Sequence, residues 1–173
     1  MMIRDAAPQD LAAITAIYAH HVLTGMGTFE ETPPDEAEVA ARLAKTQGAG
    51  CAWLVAENEG VILGYGYYAR SHNRSAYRFT AEDSIYVRDD VRGMGVGKAL
   101  VLALLEHATQ RGFRQMIAVI GDSENVGSIG LHSSLGFRNV GTMKAVGLKF
   151  GQWVDVVTMQ RALGEGERSL PEG

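Results

Sequence analysis

Ile85-Tyr86-Val87-Arg88-Asp89-Asp90-Val91-Arg92-Gly93-Met94-Gly95-Val96-Gly97-Lys98 is the stretch on which the fold turns. A β-rich run, about Tyr77 to Val87, ends at Val87, and an apolar helix is expected from about Gly97 to Arg111. Leu100, Leu104 and His107 form one stripe of that helix, Val101, Leu105 and Ala108 lie beside it, and Gly112 is placed to end it. Between strand and helix, glycine stands at every second position from Gly93 to Gly97. Lacking Cβ atoms, such a loop can turn sharply and aim several N–H groups at one point. The helix behind it adds the positive end of its dipole, so the segment suits phosphate or pyrophosphate.

Two familiar phosphate loops do not fit. A Walker loop needs glycine where Arg92 stands and Ser or Thr where Ala99 stands. A dinucleotide fingerprint opening at Gly93 needs glycine or alanine at Lys98. A turn that merely joins strand to helix is the remaining alternative on the loop alone.

Upstream, a helix is expected from Pro8 to about Leu23, with Leu11, Ile14, Tyr18 and Val22 on one face, broken by Gly25 and Gly27. A second should open at Thr32-Pro33-Pro34-Asp35, with Thr32 as cap and Pro33 in the first turn, and end near Gly48. Strands Ala52–Glu57 and Val61–Tyr68 flank the turn Asn58-Glu59-Gly60. Downstream, Met116–Ile120 reads as a fully buried strand, and Asn125–Leu135 as a short helix closed by Gly136. Val140–Lys149 and Trp153–Arg161 should form a final hairpin around Phe150-Gly151-Gln152. The order predicts one mixed sheet with helices on both faces. Residues 1–163 read as one domain, and 164–173 as a polar tail expected to be mobile.

Composition narrows the function classes. The 173 residues carry a net charge of −4 and no basic block, which argues against nucleic-acid binding. The longest apolar run, Ala99 to Leu105, is far too short to span a membrane, and without a basic stretch followed by an apolar core at the amino terminus no secretion signal is expected. Cys51 is the single cysteine, so no internal disulfide can form, and a reducing cytoplasm is the expected compartment. His20-His21 is a poor metal pair, because adjacent helical residues point about 100° apart. No metal is expected.

Arg92-x-x-Gly95-x-Gly97 resembles the coenzyme A motif of the GNAT superfamily, placed between strand and helix as in that superfamily. Asn125-x-x-Ser128-x-x-x-His132-x-x-x-Gly136-Phe137 is similar to its downstream helix. The resemblance runs from about Met2 to Leu163. Further stretches resemble the phosphinothricin and methionine-sulfoximine acetyltransferases: Thr28-Phe29-Glu30, Arg74-x-Ala76-Tyr77, Thr80-x-Glu82-x-Ser84-x-Tyr86-Val87, and Gly147-x-Lys149-Phe150-Gly151-x-Trp153-x-Asp155. This implies an α/β (α+β) fold with a mostly antiparallel sheet of six to seven strands. It also implies acetyl-CoA as co-substrate, an amino-acid acceptor and a homodimer. The implied coenzyme contacts are Ile85, Tyr86 and Val87 on the strand, Arg92, Gly93, Met94, Gly95, Val96, Gly97 and Lys98 in the loop, and Asn125, Ser128 and Ser133 downstream.

Amine acylation needs a base, because an α-amino group with a pKa of about 8 is mostly protonated at neutral pH. Glu82 is the candidate. Strand alternation sets it with Ser84 and Tyr86, opposite Asp83, Ile85 and Val87, and partial burial would raise its pKa. A solvent-facing glutamate, or one paired with Arg78 or Arg88, is the competing reading. The resemblance implies the Val87 N–H as donor to the thioester oxygen. It also sets His132 where many relatives carry a tyrosine that protonates the leaving thiolate. By helical spacing His132 is expected to face the ligand side with Asn125 and Ser128, as an acid or only as a contact to the coenzyme.

For the acceptor, Arg74 and Lys149 offer cations, and Phe29, Tyr77 and Trp153 offer aromatic walls. Glu30 and Ser75 complete the implied substrate side. Ordinary core, surface or dimer-interface roles for these residues are the alternative. Acetylation of protein amino termini or another amine, and a silent acyl-CoA sensor, are the competing functions.

Overall fold

Trp53, Leu54, Val55 and Ala56 are all buried, which requires a strand covered on both faces. The structure, a computed structural model, describes residues 1–172. Its strands are β1 (Met2–Asp5), β2 (Trp53–Asn58), β3 (Val61–Arg70), β4 (Thr80–Val87), β5 (Gln115–Gly121), β6 (Arg138–Lys149) and β7 (Gln152–Ala162). Its α-helices are α1 (Leu11–Thr24), α2 (Glu36–Gly48), α3 (Val96–Gln110) and α4 (Val126–Ser134). One seven-stranded sheet runs β1-β2-β3-β4-β5-β7-β6. Every neighbouring pair is antiparallel except β4 and β5.

Two cores hold the layers together. On one face Ile14, Ile17, Tyr18 and Val22 of α1 and Val39 and Leu43 of α2 cover Trp53, Val55 and Tyr65. On the other, Leu100, Val101, Leu104, Leu105 and Ala108 of α3 cover Leu54, Ala56, Tyr68, Met116 and Ala118, joined by Phe137. Leu100 and Leu104 are wholly buried, and each such side chain contributes about 1.5–3 kcal/mol.

Several boundaries differ from the sequence expectation. The edge strand β1 escaped it, since four residues are too short for periodicity to register. The second helix starts later than expected: Asp35, not Thr32, accepts the Glu38 amide as N-cap. Ser75–Tyr77 form a 3-10 turn, so β4 begins at Thr80. In β5, Val119 is 45% exposed, so that strand is not fully buried. Residues 164–169, expected to be part of a mobile tail, turn back over Arg114, which donates to Gly166 O at 2.7 Å and Ser169 O at 3.0 Å. Gly173 of the expected tail lies outside the described residues.

The feature that positions the site is where β4 and β5 separate. Thr80 to Asp83 pair with Gln115 to Ala118, and the pairing stops there although β4 continues to Val87. Among the described residues, no strand pairs with the β5 side of β4 beyond Asp83.

Candidate active site

The glycine loop closes directly onto α3. Gly93 and Gly95 take φ of +77° and +84°, which L side chains rarely adopt, and a Cβ added at either would meet nothing within 4 Å. Gly95 is the N-cap of α3, and no side chain caps the helix. The first turn therefore leaves amide N–H groups without helical partners. These features fit a bound pyrophosphate. Space is tighter at Gly97: a Cβ there would lie 3.1 Å from Leu131 Cδ2, so the start of α3 passes close to α4. Arg92 and Met94 are exposed at the loop's rim, and Arg92 pairs with Asp89 at 2.6 Å.

Beside the loop lies the free edge of β4. Arg88 N donates to Leu63 O at 2.9 Å, which fixes the phase of the ladder with β3. Alternation then turns the main-chain groups of Ile85 and Val87 towards the side that β5 has left. One of them is engaged: His21 Nε2 of α1 lies 2.8 Å from Val87 O and, against a carbonyl, must donate. Burial pushes the His21 pKa down, in keeping with a neutral ring.

Glu82 sits at the last turnings of the paired part of β4. It is half-buried, and burial first, then the neighbouring Asp83 charge, raise its carboxyl above the ordinary glutamate value. The partners that would make it a structural ion pair are occupied elsewhere. Arg88 pairs with Asp90 at 2.6 Å, and Arg78 donates to Ser75 O at 3.0 Å.

His132 does not face the ligand side as its helical spacing suggested. It is 3% exposed, with Nδ1 2.8 Å from Ser128 O and Nε2 2.8 Å from Asp83 Oδ2. Both ring nitrogens are thus committed inside the protein. Burial opposes the charged ring, but the hydrogen bond and charge of Asp83 prevail and hold the pKa above its usual value. Asn125 caps α4 by accepting from Ser128 N at 3.2 Å, which leaves its amide NH₂ available. Ser133 is exposed.

On the acceptor side the loop between α1 and α2 crosses the ends of β5 and β6. The Phe29 ring is wedged between Gly121 and Gly147; a Cβ would approach it to 3.1 Å from Gly121 and 2.6 Å from Gly147. Lys149, expected to offer a free cation, is 2% exposed and donates to Thr28 O at 2.7 Å, so it anchors this loop. Desolvation lowers its pKa. Glu30 is likewise engaged: Arg42 donates to its two oxygens at 2.6 and 3.2 Å, and the Tyr18 hydroxyl donates at 2.7 Å. The Arg42 hydrogen bonds hold its carboxyl below the usual range.

Arg74, Ser75 and Tyr77 stand exposed on the β3–β4 connection, and Trp153 is 70% exposed on β7. Among the described residues no hydrogen bond, ion pair or ring contact joins them to Phe29, Lys149 or Glu82. The structure thus brings together Glu82, Ile85–Val87, residues 92–98, Asn125, Ser128, Phe29 and Lys149 at the parting of β4 and β5, and leaves the others outside. Sequence reasoning missed Asp83, His21, Tyr18 and Arg42. Asp83 carried a usable signal: an acid on the apolar face of a strand, between Ala81 and Ile85, requires a buried partner.

Comparison with known proteins shows the family and the fold. The model of the acetyltransferase (GNAT) family matches residues 14–137. A phosphinothricin N-acetyltransferase of Alcaligenes faecalis is 52% identical over 170 residues, covering 98% of this chain and 86% of that protein. An L-methionine sulfoximine/L-methionine sulfone acetyltransferase of Pseudomonas aeruginosa is 43% identical over 170 residues, covering 98% of each. Among solved structures, a GNAT superfamily phosphinothricin acetyltransferase from Sinorhizobium meliloti in complex with AcCoA superposes with a TM-score of 0.96. It is 49% identical, and the match covers 99% of this chain and 92% of that one.

Proposed function

This chain belongs to the GNAT acetyltransferase family, and on that premise we propose that it moves the acetyl group of acetyl-CoA to the α-amine of a small amino acid. The favoured acceptors carry a sulfone, sulfoximine or phosphinate group, like those named for its relatives. One observation carries the reading. Within a single segment, a half-buried acid with a raised pKa, an unpaired strand edge and a phosphate-ready helix start follow one another.

Acetyl-CoA supplies an activated acyl group and a thiolate leaving group. The residues of this chain do the rest. Amides of the glycine loop and the start of α3 would hold the pyrophosphate, with Arg92 and Lys98 at the rim. Ile85 and Val87 offer main-chain groups to the extended arm, and the Val87 N–H would donate to the thioester oxygen as it gains charge. Asn125 and Ser128 close the far side. Glu82 takes the proton from the ammonium of the acceptor, directly or through one water, and its raised pKa suits that task. Phe29 is a wall for the acceptor's side chain, held in place by Lys149 through Thr28 O.

An exposed apolar hairpin suits a second copy of the chain. β6 is the outer strand of the sheet, and Met143, Val146, Leu148, Phe150 and Trp153 on this hairpin are all more than half exposed. Covering such a surface by dimerisation removes apolar area from water.

The test is turnover. Wild type and Glu82→Gln are incubated with acetyl-CoA and a panel of amines, following thiol release and product mass. Acetylation of methionine sulfone, methionine sulfoximine or phosphinothricin, lost in Glu82→Gln, is the expected result. Coenzyme binding without turnover of any amine would overturn it.

A further inference from the structure

We propose that Asp83 and His132 form a buried, charged clasp that sets the gap between β4 and β5 and so positions the Ile85–Val87 edge for the thioester. The inference rests on the acetyltransfer reading above and assigns both side chains as positioning residues.

The clasp stands at the apex of the gap. Asp83, opposite Ala118, is the last β4 residue in register with β5. Its side chain leaves the sheet on the α3/α4 face, opposite Glu82, and meets His132 of α4 at 2.8 Å. α4 follows β5 after four residues, so the pair ties β4 to the element that continues β5. The strands can part beyond Asp83 only as far as this cross-brace permits.

The chemistry of the pair is fixed by its acceptors. Ser128 O can only accept, so His132 Nδ1 carries a hydrogen; the Asp83 carboxylate accepts from Nε2. With Asp83 ionised, as the clasp requires, the ring is an imidazolium and the two form an ion pair, both side chains 4% exposed or less. The Phe137 ring stands edge-on to it at 4.8 Å and 89°, closing the core side. No N–H of His132 is left to protonate a departing thiolate. A buried ion pair adds little stability compared with an apolar pair of the same shape, whereas losing one partner is severe. Its value here is geometric: two directional bonds locate the ring, and the ring locates α4 and its cap Asn125 against β4.

The clasp also touches the base electrostatically. Glu82 follows Asp83 on the same strand but faces the other side, where its titratable neighbour is Tyr67 of β3. With His132 charged, the field of Asp83 at Glu82 is partly cancelled. Removing either partner therefore moves the acid limb of the pH profile, in opposite directions. Loss of the Asp83 charge lowers the limb, and loss of the His132 charge raises it.

The experiment compares wild type with Asp83→Asn, His132→Gln and the double variant, which keeps one neutral side-chain hydrogen bond. Thermal melts check folding, and nitrogen NMR of the wild-type imidazole reads its protonation. Expected are a ring protonated on both nitrogens at neutral pH, and kcat/KM lower by about tenfold to a hundredfold in each single variant. The acid limb moves down in Asp83→Asn and up in His132→Gln, and acetyl-CoA binds more weakly in both by calorimetry. If the single variants do not fold, the NMR signature and the double variant decide. A neutral His132 ring at pH 7, or folded variants with kcat/KM within twofold and unmoved limbs, overturns the clasp. Should wild type acetylate no amine, the acetyltransfer reading fails instead, and the clasp is then judged on NMR and calorimetry: unchanged acetyl-CoA affinity in folded variants overturns it.

Discussion

Gly147→Ala is the sharpest probe of the acceptor side. Gly147 lies in β6 opposite Val154 and is not one of the glycines at positive φ, so its backbone accepts alanine without strain. The three atoms nearest the new methyl would all be carbons of the Phe29 ring, at 2.6, 2.7 and 3.1 Å. Ordinary contact lies at 3.4–4 Å, so the ring must withdraw by about 1 Å. Phe29 is 40% exposed and can retreat, which places the stability loss at the low end of overpacking, about 1 kcal/mol, or a melting temperature lower by about 2–4 °C. The space it retreats into is the proposed acceptor pocket, where a 1 Å error reduces kcat/KM by about tenfold or more. The assay is thiol release with acceptor varied at saturating acetyl-CoA, with calorimetry of acetyl-CoA binding in parallel. The second measurement should not change, because the wedge is assigned to the acceptor and not to the coenzyme. In a Phe29→Ala background the same substitution should add nothing. Unchanged acceptor kcat/KM, equal weakening of coenzyme binding, or an undiminished effect without Phe29 would each refute the wedge. Gly121→Ala is harsher, since its methyl would sit 2.4 Å from the main-chain Met26 O and force the loop itself to move.

Glu82→Gln should lower kcat by about 10²–10⁴ while acetyl-CoA affinity by calorimetry is retained. In wild type the acid limb of kcat/KM should lie above 4.5, the ordinary glutamate value, because the base must be ionised to act and its pKa is raised; a limb at or below 4.5 contradicts burial of Glu82. Gly95→Ala forces a Cβ onto φ +84° and should cost about 1–2 kcal/mol in melts while raising KM for acetyl-CoA more than for acceptor. Lys149→Met should lower kcat/KM for amino acids and for their carboxamides alike, since Lys149 holds Thr28 O and not the acceptor's carboxylate; a loss confined to the carboxylates would return it to substrate binding.

The chain's local rules made much of this fold legible. Gly93, Gly95 and Gly97 marked the loop because alternate glycines before an apolar helix have few other uses, and α3 followed within a residue of its expected start. The strands with clear turns, such as β2 and β3 around Glu59 and Gly60, both at positive φ, were equally plain. What failed was whatever depends on a partner distant in sequence. β1 is a strand only because Glu57 to Leu54 lie beside it. The α2 cap fell to Asp35 because its carboxylate, and not the Thr32 hydroxyl, meets an orphan amide.

The same division runs through the site. Glu82 and the Ile85–Val87 edge could be named because strand alternation alone sorts them by face. Lys149 was placed by resemblance and His132 by helical spacing, and neither names the partner that the structure gives each. A lysine beside Phe150 and Trp153 reads as a cation offered to a ligand, until Thr28, 121 residues away in sequence, proves to be what it holds. His132 reads as facing the coenzyme until Asp83, 49 residues away, takes its second nitrogen. The usable clue was Asp83, a polar group on its strand's apolar side, for burial without a partner is costly enough that one must exist. Matching such groups pairwise across the chain leaves few choices on the α3/α4 face of β4. Asp83 needed a donor and His132 needed an acceptor.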